Sequence, residues 1–332
     1  MRNFTAILGC FASVLSLIAT SEAKLINLRR NPHKGSSLLP ADSLRPDLFT
    51  IQIMTYRRPT YLNLTVHHLV SAPSLHKIVV IWQGTYNMYK ASHLDSQFRR
   101  LPKGVDVVIA GTNNVMNRWR RQVPTQTQAV FNIDDDTIIN PADLEDLFMT
   151  WQKYQDRVIG LVDRVVYLDV RRRRYLYTLH TGVSSPEEYG LVIGKAWFAS
   201  AKILDLAVET DPLVKLISGF LHNPHSEAKG CDDIAWNYFL HLKGVPPPIA
   251  RLGVSMGSTE TRQRKQSGYN ASSDKADGLW GKYRHSCVTR LNELLNLTKP
   301  ALPHGPLERL FASQWTAGLS WVRETAEYLI MR

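Results

Sequence analysis

Apolar and polar positions alternate along this chain in two distinct rhythms. Short β-branched runs, "FTIQIM" (Phe49–Met54), "HKIVVIW" (His76–Trp82), "VDVVIA" (Val105–Ala110) and "AVFNI" (Ala129–Ile133), read as four strands. Helix-length segments separate them. One opens at Pro59, and another is "PADLEDLFMTWQKY", with Asn140 as a natural N-cap and Pro141 at its first position. Strands joined by helical crossovers predict a parallel sheet, whose ligands sit at the carboxyl ends of the strands.

The second half changes rhythm. "RVIGLVDRVVYL" and "RYLYTLHTG" predict antiparallel strands, with Arg171–Arg174 at a hairpin tip. "GCDDIAWNYFLHLKG" (230–244) predicts an amphipathic helix with Ile234, Ala235, Tyr238, Phe239 and Leu242 on its apolar side. A further helix is expected from Lys282, and the tail with Phe311, Trp315 and Trp321 reads as packing helices. The expected class is α/β, with a Rossmann-like, mostly parallel central sheet and an antiparallel portion beside it.

The ends divide the chain further. Arg2 precedes an apolar run to Ala19, and Ser21 and Ala23 form a small-x-small pattern. Residues 1–23 therefore read as a signal peptide or signal anchor. Residues 24–47, basic and proline-containing, read as a stem or linker, 48–299 as the main domain, and 300–332 as the C-terminal packing helices or tail. The body contains no second apolar run that approaches a membrane span. A luminal, secretory-pathway location follows, in the Golgi or endoplasmic reticulum, with membrane association through the N-terminal segment as an option.

Composition adds limits. With 332 residues, 44% apolar and 21% charged, the chain is globular rather than disordered. The net charge of +11 is compatible with a polyanionic or phosphorylated ligand, an anionic membrane face, or only a basic surface; no nucleic-acid partner is expected. Arg171–Arg174 read as a solvated turn, or as a contact for an anionic acceptor or lipid headgroup. Outside the leader the cysteines are Cys231 and Cys287, a candidate disulfide in an oxidising compartment, with two buried thiols as the alternative. Sequons place candidate glycosylation sites at Asn63, Asn270 and Asn296.

The chemistry concentrates in two places. Asp134, Asp135 and Asp136 follow the fourth strand directly. In extended backbone Asp134 and Asp136 share a face, and two converging carboxylates suit a hard divalent ion such as Mn2+ or Mg2+. Asn140 already supplies the helix cap, so the aspartates are not needed for it. An acidic surface turn is the bland alternative. A haloacid-dehalogenase-type phosphatase fits poorly, because Thr137 stands one position early and the strand is the fourth. The second place is Asp232 and Asp233 at the start of a helix, where simple favourable interaction with the helix dipole is the competing account.

In order, "FTIQIMTYRRP", "LHKIVVIW", "NNVMNRW", "FNIDDDTIINPADLEDLF", "VIGLVDRVV", "YGLVIGKAWF", "CDDIAWNYFL" and "GLWGKYRHSCVTRL" resemble the exostosin-like glycosyltransferases of family 64. The resemblance spans about Phe49–Leu295 and implies a GT-A fold, a nucleotide-sugar donor (UDP favoured), Mn2+ and transfer with retention. Under it, Asp136 would hold the metal, and Arg58, Asn113, Arg118, Asp134 and Asp135 would contact the nucleotide sugar. Asp233 and Arg284 would be catalytic, and Cys231 and Cys287 would form the family disulfide. Met54 departs from the pattern, where a glutamine is common in the animal enzymes. The activity implied is transfer of an N-acetylhexosamine to a glycan or glycolipid acceptor. The alternatives are a GDP-mannose or hexose transferase acting on sphingolipid or wall glycans, and a non-catalytic glycan-binding member of the fold.

Overall fold

Alternation along one strand, β4 (Thr127–Asp134), shows how the molecule is layered. Ala129, Phe131 and Ile133 face one apolar cluster and Val130 faces another, as the two-residue period of a strand requires. The computed structural model describes residues 39–84, 88–178, 188–223, 228, 230–254, 256–258, 279–304 and 308–311. The segment 1–38, Asn270 and most of the tail lie outside the described residues.

The first half follows the expected plan: β1 (Arg45–Thr55), α1 (Pro59–Leu69), β2 (Leu75–Gln83), α2 (Met88–Phe98), β3 (Gly104–Ala110), then β4. These four strands lie parallel in the order β3-β2-β1-β4. β5 (Thr137–Ile139) and α3 (Pro141–Lys153) follow, and Asn140 caps α3 by accepting from the Ala142 amide at 2.9 Å. The sheet continues through β6 (Ile159–Gly160). β7 (Asp163–Asp169), β8 (Arg174–Thr178) and β9 (Glu188–Val192) form a separate antiparallel sheet, with Arg171–Arg174 at the β7–β8 turn as expected.

The chain then supplies β10 (Ala196–Ser200), α4 (Ala201–Leu204), α5 (Pro212–His222), α6 (Asp232–Leu242), β11 (Ile249–Leu252), β12 (Met256–Ser258), α7 (Leu279–Leu294) and β13 (Glu308–Phe311). The central sheet runs β13-β11-β6-β10-β4-β1-β2-β3. Only its β10 pairs antiparallel to its neighbours. The expected mixed α/β class with a mostly parallel sheet is therefore what the chain forms.

One cluster packs α1 and α3 on the sheet through Leu62, Val66, Leu144 and Phe148 against Ile51, Phe131 and Phe198. The other packs α6 and α7 on the opposite face, with Trp236 5.0 Å from Trp119 and 5.5 Å from Trp197. Fully burying side chains of this size contributes about 1.5–3 kcal/mol each, so these faces dominate the fold.

Several boundaries differ from the sequence reading. β1 begins at Arg45, inside the segment read as stem, because Arg45 pairs with Thr127 at the start of β4. α7 begins at Leu279 rather than Lys282. Helix α6 is not half-buried: every residue from Asp233 to Leu240 is buried, whereas Leu242, assigned to its apolar side, is 41% exposed. It is sandwiched between the sheet and α7, so periodicity underestimates its contact surface. The described part of the C-terminal tail includes a strand, β13, parallel to β11, where packing helices were expected. No helix among the described residues is long and apolar enough to cross a membrane.

Candidate active site

At the carboxyl end of β4 the strand stops at Asp134, and Asp135 and Asp136 form a turn before β5. The extended alternation that would put Asp134 and Asp136 on one face therefore does not continue through the triplet. Each carboxylate instead meets a different set of partners. Asp134 accepts from Arg118 Nη2 at 2.8 Å, and Arg118 also donates to the Gly194 carbonyl. Asp135 is fully buried, accepts from the Thr55 hydroxyl at 2.6 Å and pairs with Arg58. Asp136 accepts from Arg58 Nη1 at 2.8 Å.

The local chain explains why Arg58 is available. β1 ends at Thr55 opposite the end of β4, Met54 pairing in register with Asp134. Arg57 takes a left-handed backbone, φ 61, which turns the chain sharply before Pro59 starts α1. Arg58 occupies the N-cap position and points back across the sheet end. From α1 the Thr65 hydroxyl donates to the Asp135 carbonyl at 2.8 Å, so helix and turn are locked together. The same tie engages the threonine of the Asn63 sequon, and Asn63 itself is half-buried.

Electrostatics follow the burial. Desolvation pushes the Asp135 carboxyl up to about 7; the Arg58 charge opposes this and Asp136 adds to it. Desolvation likewise raises Asp134, against the pull of Arg118. Three adjacent carboxylates at a strand end are thus compensated by two arginines, and the turn is not an acidic surface loop.

Gln52 and Asn132 explain where Arg118 comes from. They are buried side by side on β1 and β4, and Gln52 Nε2 donates to Asn132 Oδ1 at 3.0 Å and to the carbonyls of Arg118 and Arg120 at 3.3 and 3.2 Å. This holds the short 3-10 turn Val115–Trp119 over the sheet end. Asn114 caps that turn by accepting from the Met116 amide at 2.8 Å. Asn113 lies exposed just before it, outside the cluster.

The second constellation stands on α6 and α7. Asp233, 5% exposed, accepts from its neighbour Ile234 N at 3.0 Å and from Arg284 Nη1. Burial raises its carboxyl above the usual range, and Arg284 holds it down. Arg284 also donates to the Tyr177 hydroxyl at 2.6 Å, with its guanidinium 5.0 Å from the Tyr177 ring centroid. Burial and the Asp233 charge push the Tyr177 phenol well above its ordinary value. The Tyr177 amide donates to His285 Nδ1 at 3.0 Å. The Cys231–Cys287 disulfide, with Cα atoms 5.5 Å apart, fastens the start of α6 to α7 and so sets Asp233 beside Arg284.

Gly194 joins the two constellations. It lies in the β9–β10 loop, and a Cβ there would stand 3.2 Å from Arg118 Nη1 and 3.8 Å from the Asp233 Cβ. The structure thus brings Arg58, Arg118, Asp134, Asp135, Asp136, Asp233 and Arg284 to one end of the sheet and leaves Asn113 at the margin. Sequence reasoning missed Tyr177, Gly194 and Thr55. Nothing in the "RYLYT" alternation marks Tyr177, whereas Gly194 between two strands could have been suspected of a close approach.

Among the described residues no group of three or more His, Cys, Asp or Glu side chains is arranged to enclose a metal ion. The donor set nevertheless suits Mn2+ or Mg2+. Such ions bind through one or two carboxylates and take their remaining ligands from water and substrate phosphates, rather than from an all-protein cage.

Comparison with known proteins fits this geometry. Residues 49–301 match the model of the glycosyl transferase family 64 domain. Exostosin-like 2 of Mus musculus is 28% identical over 285 residues, covering 83% of this chain and 78% of the relative. The Homo sapiens protein of the same name is 27% identical, covering 85% and 80%. Glycosylinositol phosphorylceramide mannosyl transferase 1 of Arabidopsis thaliana is 24% identical, covering 76% and 79%.

Proposed function

The chain belongs to glycosyl transferase family 64 and is a glycosyltransferase, and on that premise we propose that it is a metal-dependent, retaining enzyme that uses a nucleotide sugar to extend a glycan or glycolipid acceptor. The observation that carries this reading is the meeting of the arginine-compensated aspartate triplet with the Asp233–Arg284 pair across Gly194. One group of residues suits a diphosphate, the other a reacting sugar, and a single side-chain position separates them.

The roles follow from charge. Asp136, the triplet member left to Arg58 Nη1 at a strand end, is the residue to hold Mn2+ or Mg2+, with Asp134 alongside. A bound divalent ion would act as a Lewis acid toward the leaving diphosphate. In this reading Arg58 and Arg118, now paired with the triplet, would add hydrogen bonds to that diphosphate, and Asp134 and Asp135 would orient the nucleoside. Asn113, exposed beside the Val115–Trp119 turn, is assigned the base contact on the family match alone. As the glycosidic bond breaks, the sugar gains oxocarbenium character, which the Asp233 carboxylate opposes with negative charge. Arg284 keeps that carboxylate ionised and oriented. Retention is then served by departure and attack on one face of the sugar, the leaving phosphate oxygen taking the acceptor proton.

A UDP-N-acetylhexosamine is the favoured donor. A GDP-hexose is the second reading, favoured by the plant mannosyl transferase among the relatives. The disulfide and the apolar leader support a luminal position in the secretory pathway. A hydrolysis screen of UDP- and GDP-sugars with Mn2+, comparing wild type with Asp136→Ala, tests the proposal. Hydrolysis of one donor class that is lost in the variant supports it. Wild-type hydrolysis by the variant, or none by either protein with any donor, overturns it. The anomeric configuration of the product, read by NMR, tests retention separately.

A further inference from the structure

Of the six large apolar side chains exposed among the described residues, four belong to segments that are tied together. They are Leu39, Val208, Leu216 and Leu242, each between 41% and 50% exposed. The Leu39 carbonyl accepts from Arg121, which pairs with Asp205, three residues before Val208. Lys243, next to Leu242, pairs with Asp211, three residues after Val208. Asp211 caps α5, whose Val214 and Ile217 face the core while Leu216 faces outward.

This patch lies at the amino end of the central sheet, away from the active site. Ser200, paired with Ala129 near the start of β4, leads straight into α4 and the Asp205–Asp211 loop. Helix α6 carries Asp233 in its first turn and ends at Leu242, so nine residues of helix, about 14 Å, separate the catalytic pair from the patch. The surrounding charges are balanced: Asp42 pairs with Lys202, Asp205 with Arg121, Glu209 with Arg120 and Asp211 with Lys243. Lys215 is exposed beside Leu216 and adds a cation. An apolar face with its carboxylates neutralised and a basic rim suits the headgroup boundary of a bilayer.

The chain itself brings that bilayer near. The described body starts at Leu39, within the patch, and 15 residues, 24–38, separate it from the apolar leader. Fully extended they span at most about 50 Å. They include Lys24, Arg29, Arg30 and Lys34 and no carboxylate, a composition drawn toward lipid phosphates. We infer that, with the leader retained as an anchor, the Leu39–Val208–Leu216–Leu242 face rests on the lipid surface and turns the catalytic end of the sheet away from it. A tether this short gives a weakly lipophilic face a high local concentration at the bilayer. A second copy of the chain fits less well, because four partly exposed side chains fall short of the roughly 800 Å² per partner in a stable interface. The inference rests on the luminal, anchored reading of the leader and not on the identity of the donor.

The test puts an environment-sensitive NBD label on single cysteines of the full chain, in a Cys10→Ala background that leaves the Cys231–Cys287 bond intact. The labelled chains are reconstituted in phosphatidylcholine–phosphatidylserine vesicles. Labels at Val208→Cys and Leu216→Cys are expected to shift to the blue and to lose about half their emission to lipids spin-labelled near the headgroup, as side chains at the acyl boundary should. A label at Met149→Cys, on α3, is expected to stay water-like and unquenched. Without labels, α5 amides are expected to exchange several-fold more slowly in wild type than in Val208→Asp/Leu216→Asp, with α3 amides equal in the two as the reference. Water-like emission at 208 and 216, quenching equal to that at 149, or equal α5 exchange overturns the inference. A blue shift that spin-labelled lipid does not quench assigns the face to a second copy and overturns it too. So does a mature chain that begins at Lys24, which has lost its anchor. Donor hydrolysis enters none of these readouts, so failure of the transferase reading is scored separately.

Discussion

Arg284 donates through one nitrogen, Nη1, to both carboxylate oxygens of Asp233, at 3.0 and 2.8 Å. Asp233 is buried and Arg284 nearly so, so the pair is strong in geometry and costly to break. Asp233→Asn keeps the shape and removes the charge. It is expected to lower kcat by about 10²–10³-fold with little change in donor KM, the signature of a group that acts in the transition state. Arg284→Ala leaves a buried carboxylate unpaired and is expected to cost about 3–5 kcal/mol in urea denaturation. Wild-type turnover by Asp233→Asn would remove this residue from catalysis.

His285 gives the site a pH dependence whose sign follows from one hydrogen bond. Its Nδ1 accepts from the Tyr177 amide at 3.0 Å, which requires that nitrogen unprotonated. Burial first, and the Arg174 charge second, hold its pKa below the ordinary 6.5. The folded protein therefore binds fewer protons here than the unfolded chain just below that value. This contribution to stability is complete above 6.5 and declines as pH falls through the lowered folded pKa. Arg174→Ser is expected to move the imidazole titration, followed by NMR, upward toward 6.5. No movement would mean that the basic tip and the catalytic arginine are not electrostatically linked.

Much of this was legible in the residue pattern, and the failures have physical causes. The parallel strands and the Asn140 cap could be read because each is a local property of its own segment. The Cys231–Cys287 pairing was a candidate from the cysteine count, because the body has two cysteines, and the nearness of Asp233 to Arg284 follows once that bond forms. The triplet misled in detail: a strand pattern predicts alternate faces, but β4 ends at Asp134 and a turn redirects the next two carboxylates to Arg58. Helix α6 misled in the other direction, because a 3.6-residue period reveals one buried face and cannot show that a second element covers the other. Tyr177 was invisible, since its role depends on Arg284 arriving from α7.

Gly160 makes a stability prediction at the seam between the two sheets. A Cβ at this β6 position would meet the Val192 Cβ at 2.5 Å, closer than two carbons can pack. Gly160→Ala is expected to destabilise by about 1–3 kcal/mol through overpacking. Val192 belongs to β9, which leads into the Gly194 loop, so donor affinity is expected to weaken as well. A paired variant, Gly160→Ala with Val192→Ala, should recover part of the stability in chemical denaturation. No recovery would place the strain elsewhere.

The disulfide does two jobs that reduction can separate. It closes a loop of 56 residues, and removing it is expected to cost about 4 kcal/mol on the chain-entropy estimate. It also fixes the two helices that carry Asp233 and Arg284. With both cysteines replaced by serine, activity is expected to fall more steeply than stability, because sub-ångström placement of the pair matters to the transition state before the core notices. Comparing kcat/KM with the urea midpoint for Cys231→Ser/Cys287→Ser checks this. A variant as active as wild type at temperatures where it remains folded would limit the bridge to stability.

Arg58 is the cation that the aspartate turn holds within its own chain. It pairs with Asp135, which is fully buried, and with Asp136, which is not. Replacing it by glutamine removes the charge and keeps hydrogen-bonding capacity. Without divalent ions, Arg58→Gln is expected to lose about 3–5 kcal/mol, the cost of a buried carboxylate left without its partner. Addition of Mn2+ should then stabilise the variant more than it stabilises wild type, because the incoming ion supplies a counter-charge that wild type already has. Thermal melts of both proteins with and without MnCl2 read this directly. Equal melting shifts on adding MnCl2 would mean that the carboxylates do not share their cation with a metal, and that Asp136 is a structural partner of Arg58 only.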